Sequence, residues 1–338
     1  MRHAGQRPAD MPGAAGFRAA KWHTPIGTSR PSSRVLPSPA RVRGPGPAAR
    51  ADRAQGPDRG ASVTDLATMS LQQEIARDLQ VSASFDAQEE IERRVAFLAG
   101  QLTSTGLRSL VLGISGGVDS LTAGRLCQLA VERVRAAGRE AEFFAMRLPY
   151  GDQADEKDAQ QALEFIRPDR VLTVDVKPAS DAALQAALAG GTEFRDAHHQ
   201  DFVHGNIKAR QRMIAQYAVA GAHEGLVVGT DHAAEAVSGF FTKFGDGAAD
   251  VVPLTGLTKR RVRAVAQALG APSALVLKTP TADLETLNPG RPDEDALGVT
   301  YDDIDDFLEG KAVGEAAFEA IARRYRLTEH KRRPPIAP

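Results

Sequence analysis

The chain has 338 residues, of which 42% are apolar and 25% are charged, and its formal net charge is -1. These values are typical of one large or two small globular domains, and they give no sign of a nucleic-acid or membrane partner. The single cysteine, Cys127, excludes an intramolecular disulfide and a cysteine-rich zinc cluster. Because nothing then points to an oxidising compartment, we expect a cytoplasmic protein. No apolar run approaches the roughly 18 residues that a transmembrane helix needs, so we expect it to be soluble.

Residues 1–68 differ from the rest of the chain in charge and composition. They carry 11 Lys and Arg against 4 Asp and Glu, and they hold 9 of the 20 prolines. Such a segment has too few large apolar side chains to offset the entropy of ordering it, so we predict disorder. A transit peptide is the alternative, although proline and glycine break an amphipathic targeting helix. Helical spacing begins at Met69, an alternative start of translation, and we predict one domain over residues 69–338.

After Met69 the chain alternates between helical and strand patterns. Asp86 is the predicted N-cap of a first amphipathic helix over residues 86–102. Four short apolar runs predict strands at residues 109–114, 142–148, 170–176 and 225–229, each separated from the next by a helical segment. This order predicts an α/β fold with a doubly wound parallel sheet and helices on both faces. The C-terminal third is helical and predicts an appendage that packs against the sheet.

The stretch LVLGISGGVDS, residues 110–120, places two glycines where the first predicted strand ends. In doubly wound sheets, ligands bind at the carboxyl ends of the strands. Because Gly116 and Gly117 lack a Cβ, successive N–H groups there can turn toward an anion, supported by the N-terminus of the next helix. Ser115 and Ser120 add hydroxyl donors, and Asp119 suits a Mg²⁺ ion that bridges to phosphate. The loop therefore predicts a site for a metal-bound nucleotide.

Two familiar phosphate loops do not fit this stretch. A Walker A loop needs a lysine after its glycines, and the dinucleotide motif GxGxxG has a different spacing. The pattern SGGxDS between a strand and a helix resembles that of the ATP pyrophosphatase family. Members of that family adenylylate a substrate and release pyrophosphate.

Longer segments of the sequence indicate which members of that family the chain resembles. The chain contains, in this order, RLPYGDQADE, GTDHAAEAVSGFFTKFGDGAADVVPL, PTADL, DEDALGVTYDDIDDFLEG and TEHKRRPP. Together these segments resemble the ammonia-dependent NAD synthetases over about residues 69–338. The resemblance implies that ATP activates the nicotinate carboxylate of deamido-NAD, and that ammonia then displaces AMP. The products would be NAD, AMP and pyrophosphate.

The resemblance also implies roles for individual residues. ATP is expected to contact the glycine loop and three residues beyond it, which gives the set Gly113, Ile114, Ser115, Gly116, Gly117, Val118, Asp119, Ser120, Thr230, Lys259 and Thr281. Deamido-NAD is expected to contact Arg210, Lys243, Asp250, His330 and Lys331. Asp119 and Glu235 are the candidate Mg²⁺ ligands, and Asp119 and Lys259 are the candidate catalytic residues. Arg147 and Tyr150 are left out of this set.

The family also implies an assembly and two moving segments. Its members commonly build the dinucleotide site at a dimer interface, so we expect a homodimer. The loops around residues 150–156 and 285–295 contain the Gly, Pro and Asp residues of mobile segments, and we expect them to order over bound nucleotides.

Several residues also allow simpler interpretations. Glu235 fits a solvated helix carboxylate, each Lys or Arg fits a surface charge, and the segment 329–335 fits a solvated basic tail. His232 and Glu235 at i, i+3 suggest zinc, but no third ligand is evident. Cys127 lies on an apolar helical stripe, which predicts core packing and leaves no thiol for a glutaminase.

Two other functions fit the glycine loop. One is another ATP pyrophosphatase, such as an enzyme that thiolates tRNA. Such enzymes generally need a basic surface or reactive cysteines, whereas residues 69–338 are acidic overall. The other is a nucleotide-binding module that has lost its chemistry, and the presence of Asp119, Glu235 and Lys259 argues against it.

Overall fold

The computed structural model describes residues 63–151, 156–281 and 284–337. In chain order the elements within these ranges are α1 (Val63–Asp78), α2 (Ala87–Thr105), β1 (Ser109–Gly113), α3 (Val118–Ala136), β2 (Glu142–Arg147), α4 (Glu156–Ile166), β3 (Arg170–Thr173), α5 (Lys177–Ala189), α6 (Ala197–Ala222), β4 (Gly225–Val227), α7 (Ala233–Ser238), α8 (Lys259–Ala268), α9 (Ser273–Val276), α10 (Asp293–Leu297), α11 (Tyr301–Leu308), α12 (Glu315–Leu327) and α13 (Glu329–Arg332). None of the described helices is both long and apolar enough to cross a lipid bilayer.

The four strands form one parallel sheet in the order β3-β2-β1-β4. Leu110 of β1 lies in register with Phe143 of β2 on one side and with Leu226 of β4 on the other. The chain runs from β1 to β2 and β3 and then crosses back to β4. The switch point, where ligands bind in such sheets, therefore lies between the carboxyl ends of β1 and β4.

Helices cover both faces of the sheet, as the sequence predicted. Alternate residues of β1 point to opposite faces: Leu110 and Leu112 belong to one apolar cluster, with residues of α2, α3, α4 and α8, and Val111 belongs to another, with Ala220 of α6. Cys127 of α3 is fully buried in the first cluster, which confirms core packing. Asp86 caps α2 by accepting the N–H groups of Gln88 and Glu89, as predicted.

The helical appendage is built around a third apolar cluster. Helices α11 and α12 contribute Phe307 and Ile321, α1 contributes Ile75, and α7 contributes Val237. Because α7 follows β4 directly, it joins this cluster to the carboxyl edge of the sheet. The predicted C-terminal helical region is confirmed, and α1 from the start of the domain is part of it.

The predicted boundary at residues 68 and 69 falls inside a helix. Helix α1 begins at Val63, because the residues between Val63 and Met69 include no glycine or proline that would interrupt it. The predicted disorder covered residues 1–68, of which residues 63–68 are helical in α1. Positions 1–62 lie outside the described residues, and so do residues 152–155 of the first predicted mobile loop.

Candidate active site

The glycine loop lies at the carboxyl end of β1, where α3 begins. Gly116 has a φ of +87°, and a Cβ on it would lie 2.8 Å from the backbone nitrogen of Ala159 in α4. Only glycine avoids both the strained backbone and the collision. The Ser120 hydroxyl accepts the N–H of Ser115 at 3.2 Å and lies 3.1 Å from the Ser115 hydroxyl. The loop thus has the bare backbone and hydroxyl pair that its sequence predicted.

Two side chains that the sequence did not assign hold the start of this loop. Gln216 of α6 accepts the N–H of Gly113 at 2.8 Å, at a point where β4 no longer pairs with β1. Arg147, at the end of β2, is buried and donates to the carbonyl oxygen of Ile114, and also to Glu156 at 2.6 Å. Its position at the end of a predicted strand is the sequence signal that could have identified Arg147 as a site residue.

An acidic cluster lies beside the loop. Asp119 is in the first turn of α3, and Glu235 is in the first turn of α7, which follows β4. Ligand atoms of Asp119, His232 and Glu235 all lie within 4.8 Å of one another. The sequence showed no third residue that could join His232 and Glu235, and the structure brings Asp119 to them. Asp119 is distant from both in sequence, and only the adjacency of β1 and β4 brings it to them.

Lys259 completes this cluster from α8. Its ammonium donates to Oδ2 of Asp119 at 2.7 Å and lies 5.0 Å from the ring centre of Tyr301. The carboxylate of Asp305 accepts the backbone N–H groups of Lys259 and Arg260 at 2.9 and 2.6 Å, which fixes the N-terminus of α8. The sequence predicted Lys259 as a ligand but not the fixing role of Asp305.

The charged groups of the cluster shift the pKa values of one another. Burial alone would raise the pKa of Asp119, but the charges of Lys259 and His232 outweigh burial and lower it. Burial lowers the pKa of Lys259, and the carboxylates of Asp119 and Glu235 raise it overall. Burial raises the pKa of Glu235 to about 8 against the opposing charge of His232, and the Asp119 carboxylate adds to the rise. The site therefore holds an ion pair together with a carboxyl group that a further cation would ionise.

The donor set of this cluster fits Mg²⁺ better than zinc. Nε2 of His232 lies 3.4 Å from Oδ1 of Asp119 and 3.6 Å from Oε1 of Glu235. Burial lowers the pKa of His232, but these two carboxylates outweigh burial and raise it, which favours a proton on Nε2. A protonated Nε2 is not a metal ligand, which leaves two carboxylates, the ligands that Mg²⁺ prefers. Oδ1 of Asp119 is buried without a hydrogen-bond partner among the described residues, although Nε2 of His232 lies 3.4 Å away. A buried carboxylate oxygen without a hydrogen-bond partner is a favourable ligand for a cation.

A cavity of about 470 Å³ opens over the loop and the cluster, a size suited to a nucleotide. Most of the predicted ATP residues line it together with Glu235 and Lys331: Gly113, Ile114, Ser115, Gly117, Val118, Asp119, Ser120, Thr230, Lys259 and Thr281. Gly116 contributes through its backbone contact with α4. The structure thus brings the predicted ATP and metal residues together around one cavity.

Of the five residues predicted to bind deamido-NAD, Lys331 lines the cavity and the other four do not. Arg210 donates to the carbonyl of Lys243 at 3.2 Å, and Lys243 donates to the carbonyl of His330 at 2.6 Å, so these three lie together. Lys331, next to His330, lines the cavity and donates to the carbonyls of Gly239 and Phe241. This group therefore borders the cavity on its Lys331 side.

Asp250 lies apart from that group. Its Oδ2 accepts the N–H of Val227 in β4 at 2.8 Å, and its Oδ1 accepts the hydroxyl of Tyr217 at 3.3 Å. The contacts of Asp250 within the chain are therefore those of a residue that ties the edge strand to α6.

Comparison with known proteins gives one consistent family. The profile of the NAD synthase family matches residues 90–335. The NH₃-dependent NAD⁺ synthetase of Streptomyces coelicolor is 79% identical over 276 residues, which cover 82% of this chain and 100% of that protein. The crystal structure of NAD⁺ synthetase from Burkholderia pseudomallei has 63% identity and a TM-score of 0.70, covering 78% of this chain and 97% of that one. The structure of NMN synthetase from Francisella tularensis has 33% identity and a TM-score of 0.66, covering 75% and 99%.

Proposed function

This chain belongs to the NAD synthase family, and from that premise we propose that its cavity adenylylates deamido-NAD with ATP and passes the adenylate to ammonia. It is an enzyme, an ATP-dependent amide-forming ligase that makes NAD. The observation that supports this chemistry most directly is the convergence of Asp119, Glu235 and Lys259 beside the glycine loop. The same convergence argues against a binding module without chemistry.

The first step joins two anions. The nicotinate carboxylate attacks the α-phosphorus of ATP, the bond to the β-phosphate oxygen breaks, and pyrophosphate leaves. The loop N–H groups, the Ser115 and Ser120 hydroxyls and the Lys259 ammonium stabilise the phosphate charge and hold the groups in line. Asp119 and Glu235 would hold Mg²⁺, which would supply further neutralisation of that charge. Thr230 and Thr281, which also line the cavity, help to position ATP.

The second step needs ammonia rather than ammonium. Asp246 lines the cavity, and its Oδ1 accepts the N–H of Thr242 at 3.0 Å. Desolvation by the surrounding residues raises the pKa of Asp246, although the side chain still faces the solvent of the cavity. Asp246 attracts ammonium and accepts one proton from it, and ammonia then attacks the acyl carbon of the adenylate. As AMP leaves, the attacking nitrogen releases a second proton to the solvent of the cavity.

Deamido-NAD occupies the Lys331 side of the cavity and extends past it. Arg210, Lys243 and His330 supply cationic and polar groups for its phosphates and ribose, and Lys331 acts at the cavity itself. Asp250 remains a predicted contact of deamido-NAD, although its hydrogen bonds in the structure are with Val227 and Tyr217.

A homodimer completes the site. Helix α6 carries Ile214 and Tyr217 on the same face as Arg210, and these two side chains are 51% and 36% exposed. Phe244, beside Lys243, is 55% exposed. An apolar face of this kind next to substrate-binding charges suits a second copy of the chain. The dimer acts in the cytoplasm, where a free thiol such as that of Cys127 stays reduced.

The test is direct. The purified protein is incubated with ATP, Mg²⁺, ammonium and deamido-NAD, and the products are identified by mass. We expect NAD, AMP and pyrophosphate in equal amounts. Formation of ADP and phosphate would contradict adenylylation. Nicotinate mononucleotide in place of deamido-NAD tests the alternative raised by the NMN synthetase, and a faster reaction with it would overturn the assignment of the dinucleotide.

The dimer needs its own measurement. Light scattering on the eluting protein is expected to give twice the mass of the chain. Ile214→Asp should give the monomer with weakened binding of deamido-NAD, and a monomeric wild type with full activity would contradict the shared site.

A further inference from the structure

Lys278 is a cavity residue for which the sequence suggested no role. It lies two positions after α9, and its side chain is 29% exposed. The side chain lines the same cavity as the glycine loop. Its ammonium lies 2.5 Å from Oδ2 of Asp158, in the first turn of α4.

This ion pair lies against the glycine loop. A Cβ on Gly116 would come within 3.0 Å of the carbonyl carbon of Asp158 and 2.8 Å of the nitrogen of Ala159, so the loop packs directly on the backbone that carries Asp158. The ammonium of Lys278 is thus one side-chain length from the loop. Thr281, which lies three residues further along the chain, lines the same cavity.

Three other cations of the cavity have firmer partners than Lys278. Lys259 is 1% exposed and bound to the buried cluster through Asp119, and Arg147 is held by the carbonyl of Ile114 as well as by Glu156. Lys331 is held by two carbonyl oxygens. Lys278 pairs instead with a carboxylate that is itself 35% exposed. Partly solvated pairs of this kind contribute little to stability, so Lys278 exchanges its partner at low cost.

The chemistry of the site calls for such a cation. The triphosphate of ATP carries about four negative charges, and the pyrophosphate that leaves gains charge as its bond breaks. Loop N–H groups supply partial charges only, and Lys259 is already balanced by Asp119.

We propose that Lys278 is an ATP-binding residue whose ammonium exchanges the carboxylate of Asp158 for the phosphate chain of the nucleotide. This inference rests on the proposed use of ATP. Asp158 acts as a holding partner: it keeps the ammonium beside the loop before ATP arrives. No covalent step is involved, because one charge-assisted contact replaces another.

The test distinguishes a role of the Lys278 ammonium in binding ATP from a structural role of its ion pair with Asp158. Lys278→Gln and Asp158→Asn both break the pair, but only Lys278→Gln removes the cation. The dissociation constant of the non-cleavable analogue α,β-methylene-ATP is measured by calorimetry in the presence of Mg²⁺. We expect Lys278→Gln to weaken binding about ten- to a hundred-fold, Asp158→Asn to leave it equal or tighter, and Lys278→Arg to keep most of it.

Two outcomes would overturn the proposal. Equal losses in Lys278→Gln and Asp158→Asn would show that the pair is structural, and unchanged binding in Lys278→Gln would show that the cation does not meet the nucleotide. Melting temperatures of all three variants identify any loss of folding, and Lys278→Arg serves as the folded comparison. Because binding is measured without turnover, a wild-type protein that binds ATP through Lys278 but forms no NAD would contradict the proposed function alone.

Discussion

The ammonium of Lys259 lies 2.7 Å from Oδ2 of Asp119, although 140 positions separate the two residues. The contact joins the first turn of α8 to the first turn of α3 and so fixes a cation beside the glycine loop. Removing one partner of a buried pair is costly because the other charge is left without compensation. The pair is therefore both a structural link and a preorganised part of the proposed catalytic site.

Asp119→Asn tests the metal-binding role of Asp119. The amide keeps the shape of the side chain but loses the charge that holds a cation, so turnover should fall by a factor of at least about 100. The far-ultraviolet circular dichroism spectrum should stay that of the wild type, with a lower melting temperature because Lys259 loses its counter-charge. Asp302→Asn, at a side chain that is 86% exposed, is the control and should change neither property. A folded Asp119→Asn enzyme with near wild-type turnover would remove Asp119 from the site.

Gly116→Ala tests the backbone of the loop. Its Cβ would impose the left-handed penalty of roughly 1–2 kcal/mol and would also collide with α4. Gly138→Ala is the matched control, since Gly138 has a φ of +82° and a Cβ added there would meet no atom within 4 Å. We expect both variants to melt at a lower temperature because of the backbone penalty, with the larger loss in Gly116→Ala because of the collision, and a raised KM for ATP only in Gly116→Ala. An equal KM for ATP in both variants would show that the loop geometry does not govern nucleotide binding.

The individual helices and strands were predictable from local signals in the sequence. The four apolar runs gave the strands, and Asp86 followed by Glu89 gave the start of α2, because capping and periodicity depend on neighbours within a few residues. The strand order was not predictable in this way. It determines that Asp119 meets His232 and Glu235, and this meeting depends on packing between distant segments.

The supporting residues of the site were missed for the same reason. Gln216 lies in the C-terminal third of a 26-residue helix, and Asp305 lies among several acidic residues of α11. Neither differs locally from a surface residue. Their roles appear only when α6 meets the end of β1 and α11 meets the start of α8.

Asp246→Asn tests the proposed proton acceptor. An amide neither attracts ammonium nor accepts its proton, so the KM for ammonium should rise and kcat should fall, while the KM for ATP stays constant. The wild-type rate at fixed total ammonium should increase with pH as more free ammonia forms, and the variant should depend on pH more steeply. A variant with an unchanged KM for ammonium at neutral pH would exclude Asp246 from this step.

Two truncations test where the folded domain begins. In α1 the side chain of Gln72 donates to the carbonyls of Phe307 and Lys311, each at 2.8 Å, and Ile75 is buried in the appendage. A chain that begins at Met69 keeps these contacts, so its melting temperature and activity should match those of the full chain. A chain that begins at Asp78 loses them and should melt at a lower temperature. Loss of stability or activity in the chain that begins at Met69 would show that earlier residues pack on the domain.

The nitrogen donor can be predicted from the state of Cys127. A glutaminase that uses a cysteine needs a thiolate that is accessible to the substrate and activated by a base. Cys127 is fully buried in the apolar cluster beneath the sheet, and burial raises the pKa of its thiol. Iodoacetamide should therefore react with Cys127 slowly in the folded protein and rapidly after unfolding in urea. Rapid reaction with the folded protein would contradict the burial of the thiol.

We therefore expect the purified chain to use free ammonia and to be inert with glutamine. The two donors are compared at saturating ATP and deamido-NAD, with glutamine freed of ammonia, and NAD is measured by mass. Cys127→Ser is the matched variant: serine fits the volume of the site, so activity with ammonia should persist with a modest loss of stability from the buried hydroxyl. If glutamine supported NAD formation at a comparable rate and Cys127→Ser abolished only that activity, then Cys127 would be a nucleophile and its assignment to core packing would be wrong.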